Sequence, residues 1–288
     1  MHTAKNKRPA RKILLYAILL LAAFPVWWVL WFMFNGALMP VDELKDTLGP
    51  VLAGTQGMAK WPLFVSWPTL QPLVELLLDT PQFFVMFWNS FKLVLPAVVG
   101  QLIVGAPAAW ALSRFRFRGR GLLFTLYIVL MLMPFQVTMV PNYLVADTLG
   151  LLNTIWSVAL PFAFSAFPVF IMSKSFDTVP IALLEAASID GAGPVRTFFR
   201  IGLPLGVPGI LSALVLGFLE CWNAIEQPML FIKDQAKWPL SLYMRQIVDD
   251  KMGLSMVASL MMLAPAALIF LFRQKYLELG IQASGIKE

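Results

Sequence analysis

The sequence predicts an all-α fold, a polytopic membrane protein with six transmembrane helices. Of its 288 residues 59% are hydrophobic and 13% charged, with a mean hydropathy of +0.75. A soluble domain of this size needs more charge to cover its surface. The charges are also clumped, and the apolar runs between clumps approach the ~20 residues that a helix needs to cross a bilayer core. In lipid such runs must satisfy their own backbone polar groups, which favours helices.

Composition excludes several kinds of chemistry. Cys221 is the only cysteine and lies in an apolar run, so the chain can form no internal disulfide framework. His2, the only histidine, sits in the polar N-terminal tail, which leaves no His/Cys metal cluster and no Ser-His-Asp or Cys-His set. There is no G-x-x-x-x-G-K-[ST] phosphate loop. The net charge of +6 comes from basic residues in short loops beside apolar spans, where they read as topology signals and not as a nucleic-acid surface.

In chain order, residues 1–12 form a basic tail with Lys5, Lys7, Arg8, Arg11 and Lys12. An apolar run follows at about 13–34. It carries Trp27, Trp28 and Trp31 and lacks an A-x-A exit, so it reads as an uncleaved first span with an interfacial aromatic belt. The segment at about 36–84 is polar, and its Pro62, Pro68, Pro72 and Pro81 forbid one long helix. Further spans fit about 87–112, 121–141, 154–173, 206–230 and 253–272. The region 13–272 is therefore one transmembrane domain, followed by a tail at 273–288.

Charge sets the expected orientation. The tails, the 113–120 turn (Arg114, Arg116, Arg118, Arg120) and the 174–205 loop hold 15 Lys and Arg, against 6 in the three opposite connections. The positive-inside rule puts both termini and the 174–205 loop in the cytoplasm of a bacterial or archaeal cell.

That loop is the most informative segment. Thr178 is placed to cap a helix whose first turn includes Pro180 and which carries Glu185, Ala186 and Ala187 before stopping near Asp190-Gly191. Gly193-Pro194 then starts a second, short helix, with Val195, Phe198 and Phe199 on one face and Arg196 and Arg200 on another. Small residues at Ala186, Ala187, Gly191 and Gly193 let another surface approach closely.

The order Glu185-Ala186-Ala187, three residues, Gly191, nine residues, Ile201, one residue, Leu203-Pro204 resembles the EAA loop of ABC importer permeases. Pro141-Asn142-Tyr143, Leu149 to Thr154, Trp222-Asn223 with Gln227-Pro228, Pro265 and the Gly280 to Lys287 ending extend the likeness. Together they resemble the carbohydrate-type, MalG-like permeases of binding-protein-dependent importers. The resemblance implies a type I permease fold and a second permease subunit, giving a heterodimer. It also implies two cytoplasmic ATPase subunits and an extracytoplasmic solute-binding protein. ATP and magnesium would be held by the ATPase subunits, leaving no cofactor and no catalytic residue here. Glu185, Ala186, Ala187, Asp190, Gly191 and Gly193 would form the coupling element in an ATPase cleft.

Two further groups stand out. Glu220 lies in an apolar span, where a carboxylate is costly unless paired or wetted; it and Asn223 are candidates for the solute path, with an interhelical hydrogen bond as the alternative. Gln101 reads as structural. In the polar 231–252 connection the resemblance suggests docking of the binding protein, and Trp238 with Lys237 and Arg245 has contact area and charge for it. A secondary transporter or channel is the competing class, but it predicts ionisable residues in several spans and leaves the EAA frame unexplained.

Overall fold

The computed structural model describes residues 8–52, 58, 60, 62–243 and 251–284. Among them every regular element is helical. The chain opens with α1 (Arg8–Ala37), α2 (Val41–Leu52) and α3 (Gln71–Val74), which runs on through a π turn at Glu75–Asp79. Next, α4 (Pro81–Gly100) joins α5 (Ala106–Arg114) through a π turn at Gln101–Gly105. Then come α6 (Arg120–Leu132), α7 (Phe135–Thr148), α8 (Trp156–Ala163) and α9 (Ala166–Asp177). They are followed by α10 (Ile181–Ile189), α11 (Pro194–Thr197), a π turn at Phe198–Gly202, and α12 (Leu203–Trp222). The series closes with α13 (Glu226–Phe231), α14 (Leu240–Tyr243) and α15 (Met252–Ser284).

Five helical runs are long and apolar enough to cross a membrane: Lys12–Ala37, Pro81–Arg114, Trp156–Asp177, Pro194–Trp222 and Met252–Gln274. The sixth is the pair α6 and α7, bent by 105°. Where the sequence suggested one span at 121–141, the helix breaks at Met133-Pro134. Proline has no N–H to continue the ladder and drives the preceding residue out of the α region, and Met133 is accordingly extended (φ −70°, ψ 127°). The fifth span also differs, ending at Trp222 with α13 as a separate piece. The last helix continues through Ser284, past the expected start of a tail.

The chain forms two compact units. The first comprises residues 1–81 and 246–261. Here Gly36 lies so close to Met256 that a Cβ would sit 1.9 Å from its sulfur. Thr69 N donates to Leu38 O (2.8 Å), and Lys251 pairs with Glu75 (3.2 Å), while Met39, Leu44 and Leu76 are fully buried.

The second unit comprises residues 82–245 and 262–288. Its core joins Ala109, Trp110 and Leu112 of α5, Met172 and Phe176 of α9, Phe198, and Ile210 and Ala213 of α12. Glycines on α12 permit that density: a Cβ would lie 2.3 Å from the Phe176 ring at Gly206 and 2.0 Å from Ser175 Cβ at Gly209. At Gly217 it would meet the side chain of Gln101, which is buried and donates to Phe162 O (3.0 Å). The structural reading of Gln101 therefore holds.

Candidate functional site

The 174–205 loop is anchored by the end of α9. Arg114 reaches from α5 and donates through its guanidinium to the carbonyl oxygens of Phe176 and Val179, the latter at 2.6 Å. Ser113 Oγ donates to Asp177 Oδ1 (2.6 Å), and Arg120 donates to the carbonyls of Leu112 (2.6 Å) and Ser113 (3.1 Å). The arginine bonds add to those that close the helix ends, where Phe176 O also accepts from Val179 N (3.1 Å). Thr178 takes part as well, donating to Ser175 O (2.7 Å). It therefore closes α9 and does not cap α10, whose N-cap residue is Pro180 with no side-chain cap bond.

Beyond this lock, α10 stands almost fully exposed. Of its residues only Ala187 is buried and Leu184 half-buried, whereas Ile189 is 86% exposed. Glu185, Ala186 and Asp190 all face outward. The helix ends in a Schellman turn: Ala192 N donates to Ala187 O (2.9 Å) and Gly191 N to Ser188 O (3.1 Å). Gly191 has φ +75°, a conformation that residues with a Cβ rarely adopt. Gly193 is different, since its φ is −68° and nothing lies within 4 Å of a Cβ built there.

Gly193-Pro194 does begin a helix, but that helix is not short. It runs through the π turn into α12, so the end of the 174–205 loop and the fifth span form one continuous run of 29 residues, Pro194–Trp222. The expected apolar face is split. Phe198 is 7% exposed and packs on Trp110 and Phe176, whereas Val195 and Phe199 point away from the core at 71% and 60%. Arg196 and Arg200 are exposed beside them.

A second site lies where three spans are interrupted. A cavity of about 900 Å3 is walled by the α6–α7 break, the α8–α9 junction and the α12–α13 junction. Ligand pockets commonly measure about 300–1,000 Å3. Glu220, Asn223, Glu226 and Gln227 line it together with Phe135, Phe164 and Ser165. Both solute-path candidates from the sequence, Glu220 and Asn223, are therefore brought together, and both are exposed. Asn223 Nδ2 donates back to Leu219 O (2.8 Å), and Glu226 accepts from Gln136 Nε2 (3.1 and 3.3 Å). Glu226 and Gln227 were not singled out in the sequence as site residues, although they follow Asn223 closely.

With this geometry in view, similarity to known proteins becomes informative. The model of the "binding-protein-dependent transport system inner membrane component" family matches residues 101–282. The chain belongs to this family. It is a multi-pass membrane permease subunit of a binding-protein-dependent ABC importer. The permease is 30% identical to the protein LplC of Bacillus subtilis (strain 168), over 73% of this chain and 76% of that one. It is 32% identical to the polygalacturonan/rhamnogalacturonan transport system permease protein YtcP of the same organism, over 62% and 68%. In fold it is similar to a chain of a bacterial ABC transporter involved in import of the acidic polysaccharide alginate. That match has a TM-score of 0.76 at 21% identity and covers 96% of the permease and 99% of the alginate-transporter chain.

The described part of the permease's 231–252 connection, residues 231–243, is more firmly built than its polarity suggests. Trp238 is half-buried, and its indole N–H donates to Ile232 O (2.8 Å), so only part of its ring is open to a partner. Asn89 Nδ2 donates to the carbonyls of Ala236 (2.7 Å) and Trp238 (3.3 Å). Lys237 lies 3.6 Å from Asp234 and donates to Asn153 O (3.1 Å). Asn153, with φ 61°, also accepts from Asp234 N (2.9 Å). Its left-handed backbone, tolerated by asparagine, is what turns both of its oxygens to this segment. Leu240 to Tyr243 are buried, and Arg245 falls outside the described residues.

Proposed function

We propose that the permease is one of two membrane subunits of an ATP-driven saccharide importer, moved by two cytoplasmic ATPase subunits through α10 and its Gly191 turn. One observation carries this reading. An exposed helix that ends in a glycine-dependent turn is fused to a transmembrane rod and fixed at its other side by Arg114. The exposed Ile189, Val195 and Phe199 give an ATPase cleft apolar surface, Glu185 and Asp190 give it charge, and Gly193 leaves room for close approach. Closure of the ATPase pair on ATP then shifts the spans between inward- and outward-facing arrangements. ATP can do so only by binding the two arrangements with different affinity.

Saccharide as the solute class is supported by the solutes in the names of similar proteins, polygalacturonan/rhamnogalacturonan and alginate. The partner permease is a different chain, and an extracytoplasmic binding protein delivers the solute against the rim that includes Lys237 and Trp238. Both termini and α10 are cytoplasmic, as the charge distribution favours.

The test uses the complete complex in proteoliposomes. Gly191→Asp and Glu185→Lys are expected to abolish ATP-driven uptake of the solute that a ligand screen assigns to the binding protein, while the permease still inserts. Wild-type uptake in both variants would remove α10 from the coupling mechanism.

A further inference from the structure

Along the chain α10 follows α9 and leads through α11 into α12, so covalent continuity joins it to those helices alone. Space adds a third attachment, the last turn of α5. Arg114 holds the entry to α10, donating through Nη2 to Phe176 O and Val179 O, 62 and 65 residues away in sequence. Trp110, four residues earlier and so on the same helix face, holds the exit. Its ring meets Phe176 edge-on at 5.2 Å and Phe198 at 5.8 Å. A Cβ at Gly202 would lie 2.8 Å from that ring, so the run into α12 passes directly against it. The Arg114 guanidinium lies 5.8 Å over the same indole, which joins the two grips. All three rings are buried, and close-packed interiors pass displacement on with little give. Hydrogen bonds from a charged donor are about twice as strong as neutral ones.

The far end of the same span is also tied down. The run Pro81–Arg114 carries Asn89 and Ser90 near its start. Asn89 Nδ2 donates to the carbonyls of Ala236 and Trp238, and Ser90 Oγ accepts from Leu240 N (2.7 Å). These partners belong to the rim that includes Lys237 and Trp238. Asn89 and Arg114 are 25 residues apart, about 37 Å of helix. One membrane-spanning run therefore grips the rim at one end and both legs of the coupling loop at the other.

We propose that the span Pro81–Arg114 is a strut between the docking rim and the coupling loop, with Arg114 as the positioning residue that makes α10 move with it. A binding protein arriving at the rim then acts on the ATPase subunits through this strut as well as through α12. Rigid elements held at both ends by packing and hydrogen bonds are the physical means by which distant sites are coupled. The inference rests on the importer reading above, in which the rim receives the binding protein and α10 the ATPase.

ATP hydrolysis by the complete complex in nanodiscs tests the strut, read as the ratio of rates with and without the binding protein. Arg114→Met keeps the side chain's length and loses its donors. It should lower the ratio about tenfold, the weight of one hydrogen bond from a charged group. A merely structural loss lowers both rates together and leaves the ratio alone. Ser113→Cys and Asp177→Cys replace side chains that meet at 2.6 Å, with Cys221→Ser removing the native thiol. Bridging the pair with a short bifunctional methanethiosulfonate should restore the ratio in Arg114→Met. With Arg114 present the bridge should leave stimulation intact, because a single body tolerates an internal link. An unchanged ratio in Arg114→Met, or a bridge that abolishes stimulation with Arg114 present, overturns the strut. The bridge decides the matter even if Arg114→Met fails to assemble. Gly191→Asp separates the two readings. A collapsed ratio there beside a normal one in Arg114→Met strikes the strut alone, whereas a normal ratio in Gly191→Asp strikes the coupling role of α10 and the strut with it.

Discussion

At the scale of single residues, the two glycines that follow α10 look alike in sequence but differ physically. Gly191 is required by its own backbone, at φ +75°, and the cost of a Cβ there is about 1–2 kcal/mol. Gly193 has ordinary backbone angles and open space around it, so it answers only to whatever docks. Gly191→Ala is therefore expected to lower the thermal stability of the purified permease in detergent, and Gly193→Ala to leave it unchanged. Gly193→Ala should lose ATPase stimulation only when the partner subunits are present. Equal melting of the two variants would mean that the turn carries no backbone constraint. Other residues were less legible. Arg114 reads as a topology signal, because nothing in a linear sequence reveals that the Phe176 and Val179 carbonyls lie within its reach. Trp238 stands among charges in sequence, yet the Ile232 carbonyl takes its N–H.

At the scale of elements, hydropathy located the spans but not their interruptions. Apolar character is continuous through Met133-Pro134, and the signal for a break was the proline itself, which a transmembrane helix can absorb as a mere kink when neighbours satisfy the freed groups. The π turn at Phe198–Gly202 left no mark in the sequence. Phe198 there faces inward and Phe199 outward, so the face that their spacing assigned them is split. The contact of α9 with α12 depends on glycine at two successive turns. Gly209→Val places bulk where a Cβ already meets Ser175 at 2.0 Å, and is expected to cost more than the about 1–3 kcal/mol typical of overpacking. Gly121→Val, on α6 with nothing within 4 Å, is the matched control. Fluorescence-detected size-exclusion profiles of the two complexes should separate them, with Gly209→Val aggregated and Gly121→Val monodisperse. Monodisperse Gly209→Val would show that the α9–α12 contact yields easily.

At the scale of the whole molecule, composition sufficed for the fold class and the EAA frame for the family, since both depend on patterns written along the chain. The cavity was half legible: Glu220 was conspicuous as a lone carboxylate in an apolar run, whereas Glu226 and Gln227 gain meaning only once the α12–α13 break turns them to the same wall. The proposed orientation rests on charge and is open to a direct check. A thiol at Gly193→Cys, in a background whose native Cys221 is buried, should react with an impermeant maleimide in inverted membrane vesicles and not in intact cells. Labelling in intact cells would reverse the topology. The bend between α6 and α7 also bears on how the chain is made. A 13-residue α6 is about 20 Å long, short of the roughly 30 Å hydrocarbon core, and a 105° turn keeps α7 from extending it. As this stretch leaves the ribosome it has no stable resting place of its own in lipid. Of the later helices, α9 is the one that packs against α6, so we expect this stretch to settle only once α9 is in place. Stable insertion of the α6–α7 stretch would then wait for the chain as far as Asp177.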